Sequence, residues 1–163
     1  MNTGERFVLN LVRSSGIPPL MFGMTAERAS EAMSQWGQVV HDIEPSGLML
    51  EVRDEDWSFH VQAYFEHGNQ LGSIQIWRPE GENAALVTFE GMDLFGMQAR
   101  EIMTRLRENG DEIDETDLFN PTAHRITLGF NREDGDERDG EDLAVYFTSV
   151  VIAPPGYLES SDT

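Results

Sequence analysis

Apolar residues recur at every second position through two neighbouring stretches of the sequence, residues 48–53 and 57–65. Because the side chains of a strand point alternately to its two faces, this alternation predicts two strands that each bury one face. The acidic residues 54–56 mark the turn between them. Residues 70–78 and 84–90 predict two more strands, and the short turns that join all four predict an antiparallel meander.

Two segments with apolar residues at helical spacing predict two helices. Thr25 is a suitable N-cap for the first helix, which is predicted to end at Gly37. The second helix is predicted over 97–108 and is followed by Asn109 and Gly110, residues that commonly end helices. The apolar faces comprise Ala26, Ala29, Ala32, Met33 and Trp36 in the first helix and Ala99, Ile102, Met103 and Leu106 in the second.

Further strands are predicted at residues 5–12, 124–131 and 142–152. Together these elements predict an α+β fold with one curved antiparallel sheet of five to seven strands and two helices packed on one face. A length of 163 residues suits a single domain. We expect that domain to span 1–158 and to be followed by a flexible tail at 159–163. Because several strands alternate apolar with polar residues, the other face of the sheet is expected to be partly open.

The tripeptide Phe22-Gly23-Met24 recurs 73 residues later as Phe95-Gly96-Met97, and a glycine follows each copy at the same distance. The apolar positions of the two predicted helices coincide in this alignment. One interpretation is a degenerate duplication with half-repeats 20–90 and 93–153. The other is a pair of unrelated helices that share a tripeptide, and the sequence leaves both open.

The segment Met21-Phe22-Gly23-Met24-Thr25, which leads into the helix ending at Gly37, resembles the helix start of secreted β-lactamase inhibitor proteins. It is also similar to the helix starts of BamE-type outer-membrane assembly lipoproteins and of many actinobacterial proteins. This resemblance implies an architecture of tandem helix-plus-sheet units and a role in binding another protein. The chain has no Cys, so the disulfides and the lipid-bearing cysteine of those families have no counterpart in it.

The chain carries a formal net charge of −19. Such a charge repels nucleic-acid phosphates and anionic lipids, so neither a nucleic acid nor a membrane is expected as a partner. The same charge speeds encounter with a basic protein. All eleven basic residues are Arg, which excludes Schiff-base and P-loop lysines, and the absence of Cys excludes thiolate nucleophiles.

The acidic residues cluster in two segments, with five acids in residues 111–117 and seven in residues 133–142. The second segment supplies the candidate protein-binding residues Glu133, Asp134, Asp136, Glu137 and Asp139. The leading prediction is a non-enzymatic module of inhibitor or immunity type that masks a basic partner such as a toxin nuclease. The alternative for these acids is a solvated loop that only keeps the protein soluble. The oligomeric state is left open.

The aromatic residues divide between the two faces of the predicted sheet. Three of them share one strand face with Val61 and are expected in the core: Trp57, Phe59 and Phe65. Tyr64 lies on the opposite face with His60, and Trp77 is expected among polar neighbours, so Tyr64 and Trp77 are candidate binding residues. Alternatively, Trp77 only covers the sheet edge. This aromatic face supports the alternative function, a small-molecule-binding domain or an enzyme without a recognisable motif.

No motif for a cofactor or a metal ion is visible. The four histidines are more than four residues apart, so no local pair of metal ligands is present. The acidic stretch beginning at Asp134 departs from a calcium loop at the positions that require Gly and Glu. Nucleophile-elbow, dinucleotide and P-loop motifs are also absent, so neither enzymatic activity nor a cofactor is expected. Because no apolar run approaches the length of a membrane span, we expect a cytoplasmic protein.

Overall fold

The computed structural model describes residues 7–45, 47–65, 68–132 and 137–155 of the chain. Within these ranges the backbone forms two α-helices and three β-sheets, which confirms the predicted α+β class. The helices are α1, Ala26–Met33, and α2, Ala99–Glu108. The strands are β1 Val8–Leu11, β2 Gly16–Ile17, β3 Leu20–Met21, β4 Val40–Glu44, β5 Gly47–Arg53, β6 His60–Phe65, β7 Ser73–Trp77, β8 Leu86–Phe89, β9 Met92–Asp93, β10 Thr122–Ala123, β11 Leu128–Asn131 and β12 Ser149–Ile152.

The largest sheet has seven antiparallel strands in the order β10-β11-β12-β7-β6-β5-β4, within the predicted range of five to seven. Strands β4 to β7 follow one another as a meander that begins with the β4–β5 hairpin, where Glu44 lies opposite Gly47. Strand β12 then pairs with β7, with Val150 opposite Ile76. The sheet therefore joins strands from both halves of the chain.

The prediction that residues 84–90 continue the meander is wrong. Strand β8 instead pairs in parallel with β1, with Leu9 opposite Val87, in a separate sheet of order β1-β8-β9. The backbone N–H of Ala85 donates to the carbonyl of Ser58 at 2.8 Å, which ties this segment to the loop before β6 rather than to β7. Two parallel strands are joined by a long crossover connection rather than by a tight turn. Their pairing therefore cannot be recognised from a hairpin turn in the sequence.

The C-terminal third contains less strand than predicted. Residues 124–126 form a 3-10 helix, and Thr127 then adopts a left-handed φ of 53°, so the predicted strand 124–131 is limited to its second half. Of the predicted strand 142–152, only β12 is formed. The residues before β12 follow an irregular path because Phe147 turns inward and stacks on Phe130, with the ring centroids 4.3 Å apart.

Both helices pack on one face of the seven-stranded sheet, as predicted. Helix α1 buries Ala29 and Met33, and α2 buries Ile102 and Leu106, in one continuous core. The inward side chains of the sheet complete this core: Leu50, Val52, Val61, Ala63, Ile74, Ile76, Leu128, Phe130, Val150 and Ile152. In the described ranges no helix covers the opposite face, and the candidate site lies there.

The two helices begin differently. The Thr25 hydroxyl caps α1 by accepting a hydrogen bond from the N–H of Arg28 at 3.3 Å, whereas Gln98 at the start of α2 makes no side-chain cap. Asp93 organises the preceding turn by accepting from the N–H of Gly96 at 2.9 Å. A tandem repeat is thus not shown, and residues 159–163 lie outside the described residues. Neither helix is long and apolar enough to cross a membrane.

Candidate ligand-binding site on the open sheet face

The open face of the seven-stranded sheet is built from every second residue of its strands. Strand β6 contributes Gln62 and Tyr64, β7 contributes Gln75 and Trp77, and the strand register places Gln62 opposite Gln75. The alternate residue Ile76 is fully buried, whereas Trp77 is 38% exposed. The predicted positions of Tyr64 and Trp77 on a polar face are therefore confirmed.

A cavity of about 410 Å³ lies on this face over strands β7, β12 and β11. Gly129, which pairs with Val151, has no side chain and so leaves space in the cavity. A Cβ built on it would meet nothing within 4 Å. The volume falls within the range of small-molecule sites, about 300–1,000 Å³. The described residues that line the cavity are Gln75, Trp77, Asn120, Thr122, Thr127, Gly129, Phe130, Asn131, Ser149, Val151 and Ala153.

Every described residue of this lining is uncharged, although 25% of the whole chain is charged. Such a wall favours a neutral ligand, because an ion would lose its hydration without gaining a counter-charge. The wall is not simply apolar. The amides of Gln75, Asn120 and Asn131 and the hydroxyl group of Ser149 are hydrogen-bonding groups, and Trp77 adds apolar ring surface.

Gln62 holds Tyr64 and Trp77 together. Its Oε1 accepts hydrogen bonds from the indole Nε1–H of Trp77 at 2.8 Å and from the hydroxyl group of Tyr64 at 3.0 Å. The Tyr64 hydroxyl also lies 3.4 Å from Oε1 of Gln75, which lines the cavity. These bonds fix Trp77 in place before a ligand arrives, and such preorganisation lowers the entropic cost of binding.

The asparagine side chains of the lining are fixed in a similar way. Nδ2 of Asn131 donates to Oδ1 of Asn120 at 2.7 Å, and the hydroxyl group of Thr148 donates to Oδ1 of Asn131 at 2.8 Å. Nδ2 of Asn120 in turn donates to Asp117 at 2.8 Å. The Asn120 side chain therefore lies between the charge of Asp117 and the cavity. The side-chain amide groups of Asn120 and Asn131 keep a defined orientation.

A histidine–glutamate pair borders this network. Nε2 of His60 lies 2.7 Å from Oε2 of Glu51, which also accepts from Nε2 of Gln62 at 2.8 Å. Desolvation acts to raise the pKa of Glu51, but the hydrogen bonds from His60 and Gln62 outweigh it and hold the pKa below its usual range. The His60 ring stacks on Trp77, with the centroids 6.0 Å apart, so the pair supports the cavity wall.

The expectation that Trp57 packs in the core with Phe59 and Phe65 is wrong. Trp57 is 43% exposed, whereas the other two rings are buried. The backbone of Trp57 lies in a turn with a φ of 63°, which interrupts the strand alternation. Its ring lies 4.5 Å from the guanidinium carbon of Arg53 and 5.5 Å from the His60 ring, and this contact extends the aromatic surface beside Trp77.

The acidic candidates of segment 133–142 are only partly described. Three of them lie outside the described residues: Glu133, Asp134 and Asp136. Glu137 is exposed. Asp139 shapes the local turn, because its Oδ1 accepts from the N–H groups of Leu143 at 3.1 Å and Glu141 at 2.8 Å. These backbone bonds, with Arg132 nearby, hold the pKa of Asp139 below its usual range.

The two acidic clusters meet in the structure, but they do not form a purely acidic surface. A cleft of about 440 Å³ is lined by residues of both clusters, including Glu115 and Glu141, and also by Arg100, Arg107 and Arg132. Arg107 pairs with Glu115 at 2.6 Å. The arginines offset the acidic charge here, which weakens the case for this cleft as the docking surface for a basic partner.

Apart from Trp77, the residues that line the cavity were not predicted from the sequence. Its residues come from separate segments that meet only because β12 pairs with both β11 and β7. The local signal was the alternation through β11 and β12, which places Gly129, Asn131, Ser149 and Val151 on the open face. That alternation does not reveal which other strand they join.

No protein-family model, curated protein or solved structure matches this chain. The resemblance to inhibitor proteins therefore stays a prediction. In the part of the chain that the structure describes, no three His, Asp or Glu side chains gather where they could hold a metal ion.

Proposed function

We propose that the protein binds a neutral, polyhydroxylated small molecule, such as a saccharide, in the cavity beside Trp77 without catalysing a reaction. The observation that carries this proposal is the uncharged lining in a chain of net charge −19. Amide and hydroxyl groups both donate and accept hydrogen bonds, as sugar hydroxyls require. The ring of Trp77 offers apolar surface to the C–H face of such a ligand.

The arrangement suits binding more than catalysis. Active sites combine a nucleophile or an acid–base group of perturbed pKa with a cleft. Here the pKa of Glu51 is perturbed, but its Oε2 is engaged by His60 and Gln62, away from the described lining. The lining itself supplies groups that position a ligand.

Titration with saccharides tests the proposal. Tryptophan fluorescence and saturation-transfer NMR would be recorded for the full chain with glucose, maltose, cellobiose and N-acetylglucosamine. Glucose 6-phosphate and glucuronate serve as charged counterparts. We expect at least one neutral saccharide to bind and the charged ones to bind more weakly, because their anionic groups would be desolvated against uncharged walls. Failure of all the neutral saccharides, or equal binding of the anions, would refute the proposal.

A glycine in the lining provides a matched variant. In Gly129→Val the new side chain enters open space, so the fold should be kept while the hollow is reduced. Gly140→Val also meets open space but lies outside the cavity, and it is the control. We expect Gly129→Val to abolish saccharide binding at an unchanged or raised thermal midpoint, since valine suits strands. Binding that survives this change would place the ligand elsewhere.

Masking of a basic partner, in the manner of an inhibitor or immunity protein, is our second proposal. The exposed carboxylates of Glu137, Glu141 and Asp142 support it together with the net charge, because they attract a positive surface. Under this second proposal, the protein acts in the cytoplasm and has no nucleic-acid partner. Association with a basic protein should weaken as salt rises, and amide variants of these three residues should slow it. An unchanged rate would assign the contact to another surface.

A further inference from the structure

Strand β4 forms one outer edge of the seven-stranded sheet and carries exposed apolar side chains. Strand β5 pairs with one side of it, and among the described residues no strand pairs with the other. Ile43 is 86% exposed and Val40 is 52% exposed. At the opposite edge, β10 has only two residues, and Asp114 covers it through two backbone bonds with Thr122 of 2.8 and 3.0 Å.

The register shows which backbone groups β4 offers. The hairpin closes with Glu44 opposite Gly47, so Glu44 and every second residue before it exchange hydrogen bonds with β5. The N–H and C=O groups of His41 and Ile43 therefore point away from β5. Edge groups of this kind are a template for the addition of another strand.

A second copy of β4 is disfavoured at this edge in two of the antiparallel registers that the outward groups of β4 allow. Antiparallel pairing centred on Asp42 places Asp42 opposite its own counterpart, and pairing centred on Ile43 places Asp42 opposite Glu44. Like charges directly opposite each other destabilise a sheet, and both copies carry a net charge of −19. A strand with basic side chains at these positions would be attracted instead.

We propose that β4 accepts an extended segment of a basic partner protein as an eighth strand. Asp42 and Glu44 point to the same face, so the segment that fits carries Lys or Arg at alternate positions. An apolar residue between them covers Ile43 on the other face. The inference rests on the second function proposed above, the binding of a basic partner, and is independent of the cavity.

A defined peptide tests the edge. The probe is acetyl-Thr-Lys-Ile-Lys-Val-Lys-Thr-amide, and the same peptide with glutamate at the three lysine positions is the control. Each is titrated into the ¹⁵N-labelled full chain. We expect the lysine peptide to shift the β4 amide signals, to slow hydrogen exchange at His41 and Ile43, and to bind at least about tenfold more tightly than the control at low salt.

Two variants separate backbone pairing from charge. Ile43→Pro removes an N–H that points away from β5, so the hairpin bonds are kept while strand addition is blocked. It should abolish peptide binding, and the thermal midpoint reports that the fold is retained. Asp42→Asn combined with Glu44→Gln leaves the backbone unchanged and should weaken binding about fourfold.

Each outcome bears on a different claim. Binding that survives Ile43→Pro, or the absence of lysine-peptide binding, would overturn the β4 site. Peptide shifts confined to residues 137–142 would overturn the β4 site and support the binding of a basic partner elsewhere. Equal binding of the glutamate peptide would count against both the charge pattern and the second proposed function.

Discussion

Arg13 joins three distant parts of the chain, and we expect its loss to destabilise the fold mainly through Asp111. Its guanidinium donates to both carboxylate oxygens of Glu90 at 2.8 and 2.9 Å and to both of Asp111 at 3.2 Å. The Glu90 side chain is 38% exposed, whereas that of Asp111 is only 9% exposed. An exposed ion pair contributes about 0–1 kcal/mol, but a buried charge left without its partner costs several kcal/mol.

Arg13→Gln should lower the free energy of unfolding by about 2–3 kcal/mol. The exposed pair with Glu90 accounts for about 0.5 kcal/mol of this loss. The remainder comes from the desolvated carboxylate of Asp111, which loses two charge-assisted hydrogen bonds. For a chain of this length, each kcal/mol corresponds to about 2–4 °C in the thermal midpoint, so Tm should fall by about 4–12 °C.

Urea unfolding of double-mutant cycles distinguishes the two carboxylates. Glu90→Gln should cost less than about 1 kcal/mol and couple weakly to Arg13→Gln. Asp111→Asn should couple to Arg13→Gln by at least about 1.5 kcal/mol. Equal coupling to both carboxylates would refute the reasoning that burial outweighs the shorter distances to Glu90.

Three further changes test other parts of the molecule. Because the folded-state pKa of Glu51 is lowered, its stabilising contribution is present above the usual glutamate value of about 4.3 and is lost as the pH falls through the lowered pKa. Glu51→Gln should therefore flatten the loss of stability that urea melts show as the pH falls below about 5. Phe147→Ala should lower the free energy of unfolding by about 3–5 kcal/mol, read from the urea midpoint, because the ring is fully buried. Gly16→Ala should lower the thermal midpoint measured by circular dichroism, since its φ is 127° and its Cβ would overlap the carbonyl oxygen of Leu20.

Much of the fold was accessible from local sequence patterns. The period-two alternation identified β5 and β6, and it placed Tyr64 and Trp77 on the open face. The helical spacing identified α1 and α2, whose apolar residues Met33 and Leu106 are buried as expected. These patterns are informative because each of these elements buries one face against the same core.

The remaining features depend on long-range or exposed structure. Strand β4 lacks an apolar–polar alternation because both of its faces are exposed, so only the pairing with β5 reveals it as a strand. The parallel pair of β1 and β8 and the position of β12 are set by packing between segments far apart in the chain. Trp57 follows the alternation in sequence but leaves it in the structure, because its φ of 63° turns the backbone. The cavity combines these effects, since Gly129 becomes part of its lining only when β11, β12 and β7 are neighbours.

One row of paired residues crosses the open face from the β4 edge to the cavity. In register from β4 to β10, it runs through Val40, Glu51, Gln62, Gln75, Val151, Gly129 and Thr122. A strand added to β4 would bond to groups that point away from β5, so it would leave this row unchanged. The cavity would stay open, and a saccharide and a basic segment could be held at the same time. The affinity of the lysine peptide should therefore be the same with and without saturating saccharide. A change in that affinity would mean that saccharide binding in the cavity alters the β4 edge through the Glu51–Gln62–Trp77 hydrogen bonds.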